Sequence, residues 1–277
     1  MNFEQNNNKI EEKESLKPKI ETIKLFNGEV SYSPERGGII TSIKIGDKEI
    51  LYMDESTFND KGANVKGGIP VLFPNAGAIP DEIKTEEFAN LKQHGFARES
   101  HKWTSLRTEN GFIQTLKSDE ETKKVFPYDF EFSINGKYEE NGSFSVTQLV
   151  KNLETNKEFP LSSGFHPYFK VSSEAKKDIE FNFKGGDFVK ENTEIWTNGK
   201  AVSVENPGGL MEINIPGLGI LIFNIDKGYK RIWIWSQTDK DFICIEPVMR
   251  DKGGLVNDPE KIKPGETFSA TFNLNLK

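Results

Sequence analysis

Three segments of the sequence combine a titratable side chain with residues that constrain the backbone. His94 lies in the segment QHGFAR, His166 lies in GFHPYF, and Glu246 lies in DFICIEP. The remaining histidine, His101, stands next to Lys102 and is typical of a surface residue. The three segments are far apart in the chain, which excludes a local metal motif such as HExxH and favours a site assembled on the face of a sheet. A metal site with two histidines and one carboxylate stays open as an alternative.

Two histidines and a carboxylate can exchange the anomers of a sugar without a metal. The reaction needs a base that removes the proton of the C1 hydroxyl and an acid that protonates the ring oxygen. Glutamate suits the base and histidine the acid, because each can hold the required protonation state near neutral pH. A second histidine can stabilise charge on the ring oxygen. Glycoside hydrolysis would instead need two carboxylates, and the sequence offers one in a suitable place.

Further polar residues near these segments are candidates for binding a substrate. In an extended segment, residues 94, 96 and 98 point to one face, so we expect Arg98 to line the same pocket as His94. The segment KGGIPVLFPN, residues 66–75, contains two glycines and two prolines, and proline is poorly tolerated in a central strand. Lys66 and Asn75 are therefore predicted to contact a ligand, with a kinked core segment as the alternative interpretation.

Composition limits the class of protein. The 277 residues carry a formal net charge of −7, which argues against nonspecific binding of nucleic acid. The single cysteine, Cys244, cannot form an internal disulfide and is predicted to be a buried thiol. Residues 1–9 lack an apolar core segment and the chain has no apolar stretch of membrane-spanning length, so we expect no signal peptide, no membrane association and a cytoplasmic location.

Period-two alternation of apolar and polar residues recurs along the chain and predicts strands. The ENG turn, residues 140–142, between two such runs predicts a hairpin. Helix is expected only as short turns within residues 81–90 and 119–125. The pattern predicts an all-β protein, a large antiparallel sandwich of two twisted sheets. We expect residues 1–19 to form a flexible polar tail and residues 20–277 to form a single domain.

The motifs SPERGG, GGIPVLFP, HGFAR, GFHPYF and CIEP occur here in an order that resembles the aldose 1-epimerase (galactose mutarotase-like) family. The resemblance covers residues 20–276 and implies a β-supersandwich, isomerase activity and no cofactor. It also implies that His166 is the general acid, Glu246 is the general base and His94 stabilises the ring oxygen. Arg98 would contact the substrate or lie just behind it.

The resemblance leaves the sugar open. Relatives that act on hexose 6-phosphates tend to have arginine where this chain has Lys66. The leading hypothesis is a 1-epimerase of a free aldohexose, as a monomer or homodimer. The alternatives are a hexose-6-phosphate 1-epimerase, in which Lys66 and Arg98 would bind the phosphate, and a noncatalytic sugar-binding module.

Overall fold

The computed structural model describes residues 17–25 and 28–277 of the chain. Of the tail predicted over residues 1–19, residues 1–16 lie outside this described part. At the end of that segment, the carbonyl of Lys19 accepts a hydrogen bond of 2.7 Å from the Ser33 hydroxyl. The division into a tail and one domain remains a prediction.

Strands dominate the described residues. In chain order they are β1 (Glu21–Leu25), β2 (Gly28–Ser33), β3 (Ile39–Ile45), β4 (Lys48–Glu49), β5 (Val71–Leu72), β6 (Thr104–Arg107), β7 (Gly111–Lys117), β8 (Phe130–Tyr138), β9 (Phe144–Asn152), β10 (Phe159–Leu161), β11 (Gly164–Phe165), β12 (Tyr168–Lys170), β13 (Glu180–Asn182), β14 (Val202–Glu205), β15 (Leu210–Ile215), β16 (Gly219–Ile225), β17 (Arg231–Trp235), β18 (Phe242–Val248), β19 (Glu260–Ile262) and β20 (Thr267–Leu276). The described helices are short, with six residues at most, and none of them has the length and apolarity needed to cross a membrane.

Two large sheets form the sandwich. One has eight strands in the order β13-β15-β16-β20-β9-β8-β7-β6, and the other has the order β14-β17-β18-β11-β5 with β12 also paired to β18. Strands β1 to β4 form a separate sheet, and β10 pairs with β19. All these strand pairings are antiparallel. The predicted all-β antiparallel sandwich is therefore confirmed.

Alternation explains why these segments form strands. In β8 every second residue is fully buried and the residues between are half-buried, as expected for a strand with one face on the core. The hairpin predicted at residues 140–142 is present and joins β8 to β9, with Tyr138 opposite Phe144. Gly142 has a φ of 82°, a left-handed conformation that glycine adopts at no steric cost.

The helical turns predicted from the sequence are also present. Residues 81–90 contain two 3-10 turns, Asp81–Ile83 and Glu86–Phe88, and residues 119–125 contain the short helix Glu120–Lys123. The side chain of Asp119 accepts hydrogen bonds from the first backbone amides of that helix, which is the usual stabilisation of a helix start.

The segment of residues 66–75 contributes buried side chains to the hydrophobic core and also forms loop structure. Val71 and Leu72 form β5, and Phe73 is fully buried with its ring stacked on Phe132 at a centroid distance of 4.5 Å. This aromatic packing places the centre of the segment between the sheets, as the alternative interpretation expected. Lys66 and Asn75 lie at the two ends of this segment, on either side of its buried centre.

Candidate active site

The fold brings His94 and His166 to Glu246, which lies on β18 of the six-stranded sheet. His166 Nε2 lies 3.4 Å from Glu246 Oε1, and the rings of His166 and His94 are 5.8 Å apart between centroids. All three side chains are buried. Three titratable groups from distant parts of the sequence thus meet in one cluster, which we call the catalytic cluster after the role proposed for it below.

Strand β18 presents Glu246. The apolar run Phe242–Val248 is buried at every position, because β17 and the short strands β11 and β12 flank it on both sides. Alternation places Glu246, Cys244 and Phe242 on one face, where Phe242 and Cys244 pack against Tyr168. Cys244 is a free, fully buried thiol, as the sequence predicts. Glu246 is 2% exposed, and its Oε2 has no hydrogen-bond partner among the described residues.

His166 lies between β11 and β12, and its ring is held by aromatic neighbours. Its backbone amide donates a hydrogen bond of 3.0 Å to the Pro70 carbonyl. The imidazole stacks on the Tyr168 ring at 4.8 Å and meets Trp235 edge-on at 5.5 Å. Nδ1 is buried without a partner in the described chain, and Nε2 faces Glu246.

His94 does not lie in an extended segment, and the predicted alternation of residues 94, 96 and 98 is wrong. His94 has a φ of 67° and Gly95 a φ of 70°, and Ala97–Glu99 forms a 3-10 turn. Glycine is required at position 95, because a Cβ atom there would lie 1.9 Å from the Phe73 carbonyl oxygen. His94 and Gly95, both left-handed, form a turn rather than an extended segment. The imidazole of His94 contacts the catalytic cluster from this turn.

A backbone contact sets the tautomer of His94. The Gly77 amide donates a hydrogen bond of 3.0 Å to His94 Nδ1, so the neutral ring carries its proton on Nε2, which lies 3.1 Å from the side-chain amide of Gln93. Burial, together with the charges of His166, Arg98 and Lys252, holds the pKa of His94 well below its usual value. His94 is therefore a neutral hydrogen-bond donor rather than a cation.

Asn75 lies behind His94. It is 2% exposed, and its side-chain amide donates to the carbonyls of Gly77, at 2.7 Å, and Lys92, at 3.3 Å. These contacts connect the two ends of the loop that carries His94. A direct contact between Asn75 and a substrate stays a prediction.

Arg98 and Lys66 differ in their relation to the catalytic cluster. Arg98 is half-buried, its Nη2 donates to the Gln93 carbonyl at 3.1 Å, and its charge lowers the pKa of both His94 and His166. Lys66 is half-buried beside Asp54, whose amide donates to the Lys66 carbonyl. Among the described residues, no side-chain hydrogen bond or ion pair links Lys66 to the cluster.

Lys252 is a cation of the site that the sequence analysis missed. Its charge contributes to the lowered pKa of His94 and partly opposes the rise that burial causes in the pKa of Glu246, and its side chain packs against Gly77. The preceding residue, Asp251, anchors this loop by accepting hydrogen bonds from Trp233 Nε1 at 2.9 Å and Ser203 Oγ at 2.6 Å. No sequence motif marked Lys252, although its position six residues after Glu246 was a signal that could have been followed.

The His166–Glu246 pair holds one proton over a wide pH range. Burial raises the pKa of Glu246 well above its usual value, and burial with the nearby Arg98 charge lowers the pKa of His166 to about 3. Between the lowered pKa of His166 and the raised pKa of Glu246, the pair is either glutamic acid with neutral imidazole or carboxylate with imidazolium. Both forms contain the same number of protons, so transfer across the 3.4 Å between Nε2 and Oε1 interconverts them. Within residues 17–25 and 28–277, no group of three or more His, Cys, Asp or Glu side chains is arranged to hold a metal ion.

The family model described as Aldose 1-epimerase matches residues 22–232 of this chain, and the chain therefore belongs to the aldose 1-epimerase family. This confirms the family, and with it the isomerase class, that the motifs indicate. The match includes His94 and His166 but ends before Glu246, whose place in the site rests on the geometry of β18.

Individual proteins agree with this assignment. A protein of Cenchrus ciliaris, provisionally named glucose-6-phosphate 1-epimerase, is 25% identical over 86% of this chain and 79% of its own length. A protein of Escherichia coli K12 with the same provisional name is 31% identical over 48% of this chain and 42% of its own length. The fold is similar to that of the galactose mutarotase related enzyme from Lactobacillus acidophilus, with a TM-score of 0.72, 22% identity, and coverage of 94% of this chain and 97% of that one.

Proposed function

We propose that this protein interconverts the α and β anomers of a free aldohexose. The observation that carries the proposal is the meeting of His166, Glu246 and His94 in one buried cluster, with Nε2 and Oε1 of the first two 3.4 Å apart. The aromatic rings around His166 provide an apolar surface for a sugar ring. An acid, a base and a neutral donor are the groups that ring opening and closure require.

The catalytic cycle returns the shared proton to its starting place. Glu246, as carboxylate, removes the proton of the C1 hydroxyl while His166, as imidazolium, protonates the ring oxygen, and the bond between C1 and the ring oxygen breaks. At the open-chain stage Glu246 is protonated and His166 is neutral, which is the arrangement that burial favours. After rotation about the C1–C2 bond, the reverse transfers close the ring on the other face. The Nε2 proton of His94 stabilises negative charge on the ring oxygen.

A 1-epimerase of hexose 6-phosphates is the second candidate. It is favoured by Arg98 and Lys252, two cations near the cluster that form no salt bridge among the described residues. It also agrees with the provisional names of the relatives. Lys252 takes the role for which Lys66 was predicted, because its charge acts on the cluster.

Anomer exchange measured by NMR tests both candidates. Purified protein is mixed with freshly dissolved α-D-glucose, α-D-galactose or glucose 6-phosphate, and the approach to equilibrium is followed against a protein-free sample. We expect acceleration with at least one free sugar. A strong preference for the phosphate ester would favour the second candidate. No acceleration with any of the three, together with measurable sugar binding, would contradict catalysis and favour a noncatalytic module.

We expect the pH profile of kcat/KM to lack an acid limb near pH 6.5, the ordinary pKa of histidine. The His166 pKa is lowered to about 3, so the pair gains its second proton only in strong acid, and it loses its last proton only above the raised pKa of Glu246. Activity should therefore stay level as the pH falls from 7 towards 4. The apparent values belong to the coupled pair rather than to either residue. The profile is measured with the spontaneous rate subtracted and with circular dichroism at each pH, and an acid limb near 6.5 in folded protein would contradict the shared-proton pair.

A further inference from the structure

Strand β3 contains a bulge that changes the direction of one side chain. Its register with β2 shifts at this point, because Ser31 lies opposite Ser42. The next residue of β2, Tyr32, lies opposite Ile40, which leaves Thr41 without a partner residue. Alternation would place Thr41 and Ser42 on opposite faces of the sheet, but both line the same cleft. Bulges that turn a side chain in this way are frequent beside functional sites.

The hydroxyl of Thr41 is a buried polar group without a hydrogen bond. Thr41 is 7% exposed, and its Oγ1 has no partner among residues 17–25 and 28–277. The neighbouring hydroxyls of the same strands have partners, since Ser31 pairs with Thr22 at 2.9 Å and Ser42 pairs with the Glu49 carboxylate. Burial of a polar group without a partner costs free energy. A molecule that enters the cleft and hydrogen-bonds to Thr41 would therefore be favoured.

The cleft that Thr41 lines, which we call the Thr41 cleft, is large enough for a small molecule. Its volume is about 770 Å³, within the usual range of small-molecule sites. Its accessible apolar lining includes Ile20, Met53 and Pro216, and Ile20 is 45% exposed. No residue of the catalytic cluster lines it, so the Thr41 cleft is a separate site.

The charged residues of the Thr41 cleft favour a cation. Four of them line it in the described part of the chain, the carboxylates Glu49, Glu55 and Asp241 and the single cation Lys170. Glu55 and Asp241 are exposed and form no salt bridge with another described residue. The half-buried ring of Tyr52 also lines the cleft, and the face of an aromatic ring attracts cations. A bound anion would instead meet two carboxylates for each positive charge that remains after Glu49 is satisfied by its own hydrogen bonds.

We propose that the Thr41 cleft binds a primary amine with an apolar body. The ammonium group donates a hydrogen bond to Thr41 Oγ1 and is attracted by the carboxylates of Asp241 and Glu55. The hydrocarbon part packs on Ile20 and the other accessible apolar residues of the cleft. This site does not depend on the proposed catalysis, because it shares no residue with the catalytic cluster.

Three probes of similar shape and different charge test the proposal. The cation 2-phenylethylamine, the neutral 2-phenylethanol and the anion 3-phenylpropionate are each titrated at neutral pH into the full-length protein, and binding is followed by NMR. We expect the amine to bind about 5-fold more tightly than the alcohol, the effect of an exposed charge pair, and the carboxylate to bind most weakly. The perturbed signals should include the Met53 methyl group and the Tyr52 ring.

Equal affinities of the amine and the alcohol would overturn the proposal, as would the absence of amine binding at about 10 mM, a weak affinity for a probe of this size. Perturbation of the His94 and His166 ring signals in place of the Tyr52 and Met53 signals would locate the amine at the catalytic cluster and would also overturn it.

Two substitutions test the residues that carry the proposal. Thr41→Val keeps the branched shape and removes the hydroxyl, so it should weaken amine binding about 3- to 10-fold, the usual effect of one hydrogen bond. The unfolding temperature of the free protein should stay level or rise, because the hydroxyl has no partner there to lose. Asp241→Asn should weaken amine binding about 2- to 5-fold and leave alcohol binding unchanged.

The matched control is Thr104→Val, the same chemical change at an exposed residue of β6 that does not line the cleft. It should leave the affinity for the amine unchanged. Wild-type amine affinity in folded Thr41→Val protein would overturn the site. A lowered unfolding temperature of Thr41→Val would show that the hydroxyl is structural and would overturn it as well.

Discussion

Replacement of Glu246 by glutamine is expected to lower enzyme-catalysed anomer exchange by about 10²- to 10⁴-fold, the usual contribution of a general base. Glutamine has the shape of glutamic acid but cannot accept the proton of the C1 hydroxyl. Glu246 is buried with one oxygen 3.4 Å from His166 and the other unpaired, so the substitution leaves no buried charge uncompensated. We expect KM to change little, because the loss falls on proton transfer rather than on binding. The rate is measured by NMR with the spontaneous reaction subtracted.

The control for this substitution is Glu205→Gln, at an exposed residue of β14 in the same sheet. It makes the same chemical change without touching the catalytic cluster and should retain full activity. Thermal unfolding of both variants establishes that they are folded. Glu246→Gln protein that is folded and within 2-fold of the wild-type rate would exclude Glu246 as the base.

The placement of Glu246 was predictable because strand alternation is local. In the segment DFICIEP, the residues at 242, 244 and 246 had to share a face whatever the neighbouring strands were. The sequence alone does not show which residues pack against that face. The 3.4 Å approach of His166 depends on the pairing of β11 and β12 with β18, a tertiary property.

The conformation of His94 was not predictable by the same reasoning. The alternation assumed for residues 94, 96 and 98 holds only in extended chain, whereas His94 and Gly95 are left-handed. Gly95 also approaches Phe73, a residue of a different segment, so closely that a side chain there would clash. Glycine next to histidine indicated freedom to turn, but the close contact with Phe73 depends on the tertiary structure.

Lys252 was missed for a related reason. It is ordinary in sequence, and its relevance comes from the charge that it places near His94 and Glu246. That proximity can be recognised only after the neighbouring segments are placed. A pattern of residue types and spacing therefore predicted the candidate acid and base, and the structure was needed to identify the residues that surround them.

Replacement of His166 by alanine is expected to lower anomer exchange by about 10²- to 10⁴-fold, because the ring oxygen then loses its proton donor. The imidazole is held between Tyr168 and Trp235, so its removal leaves an open space beside intact aromatic walls. Added imidazole should enter this space and restore part of the rate. Rescue of this kind is expected for a missing proton donor and not for a purely structural defect.

The matched control is His101→Ala, because His101 is the one histidine of the chain that is outside the catalytic cluster, and it is exposed. It should keep the wild-type rate and show no response to imidazole. Rescue that increases with the neutral fraction of added imidazole would indicate proton acceptance, and rescue that increases with imidazolium would indicate donation to the ring oxygen. A folded His166→Ala variant with the wild-type rate would remove His166 from the mechanism. A slow variant that imidazole cannot restore would indicate that His166 acts by positioning Tyr168 and Glu246.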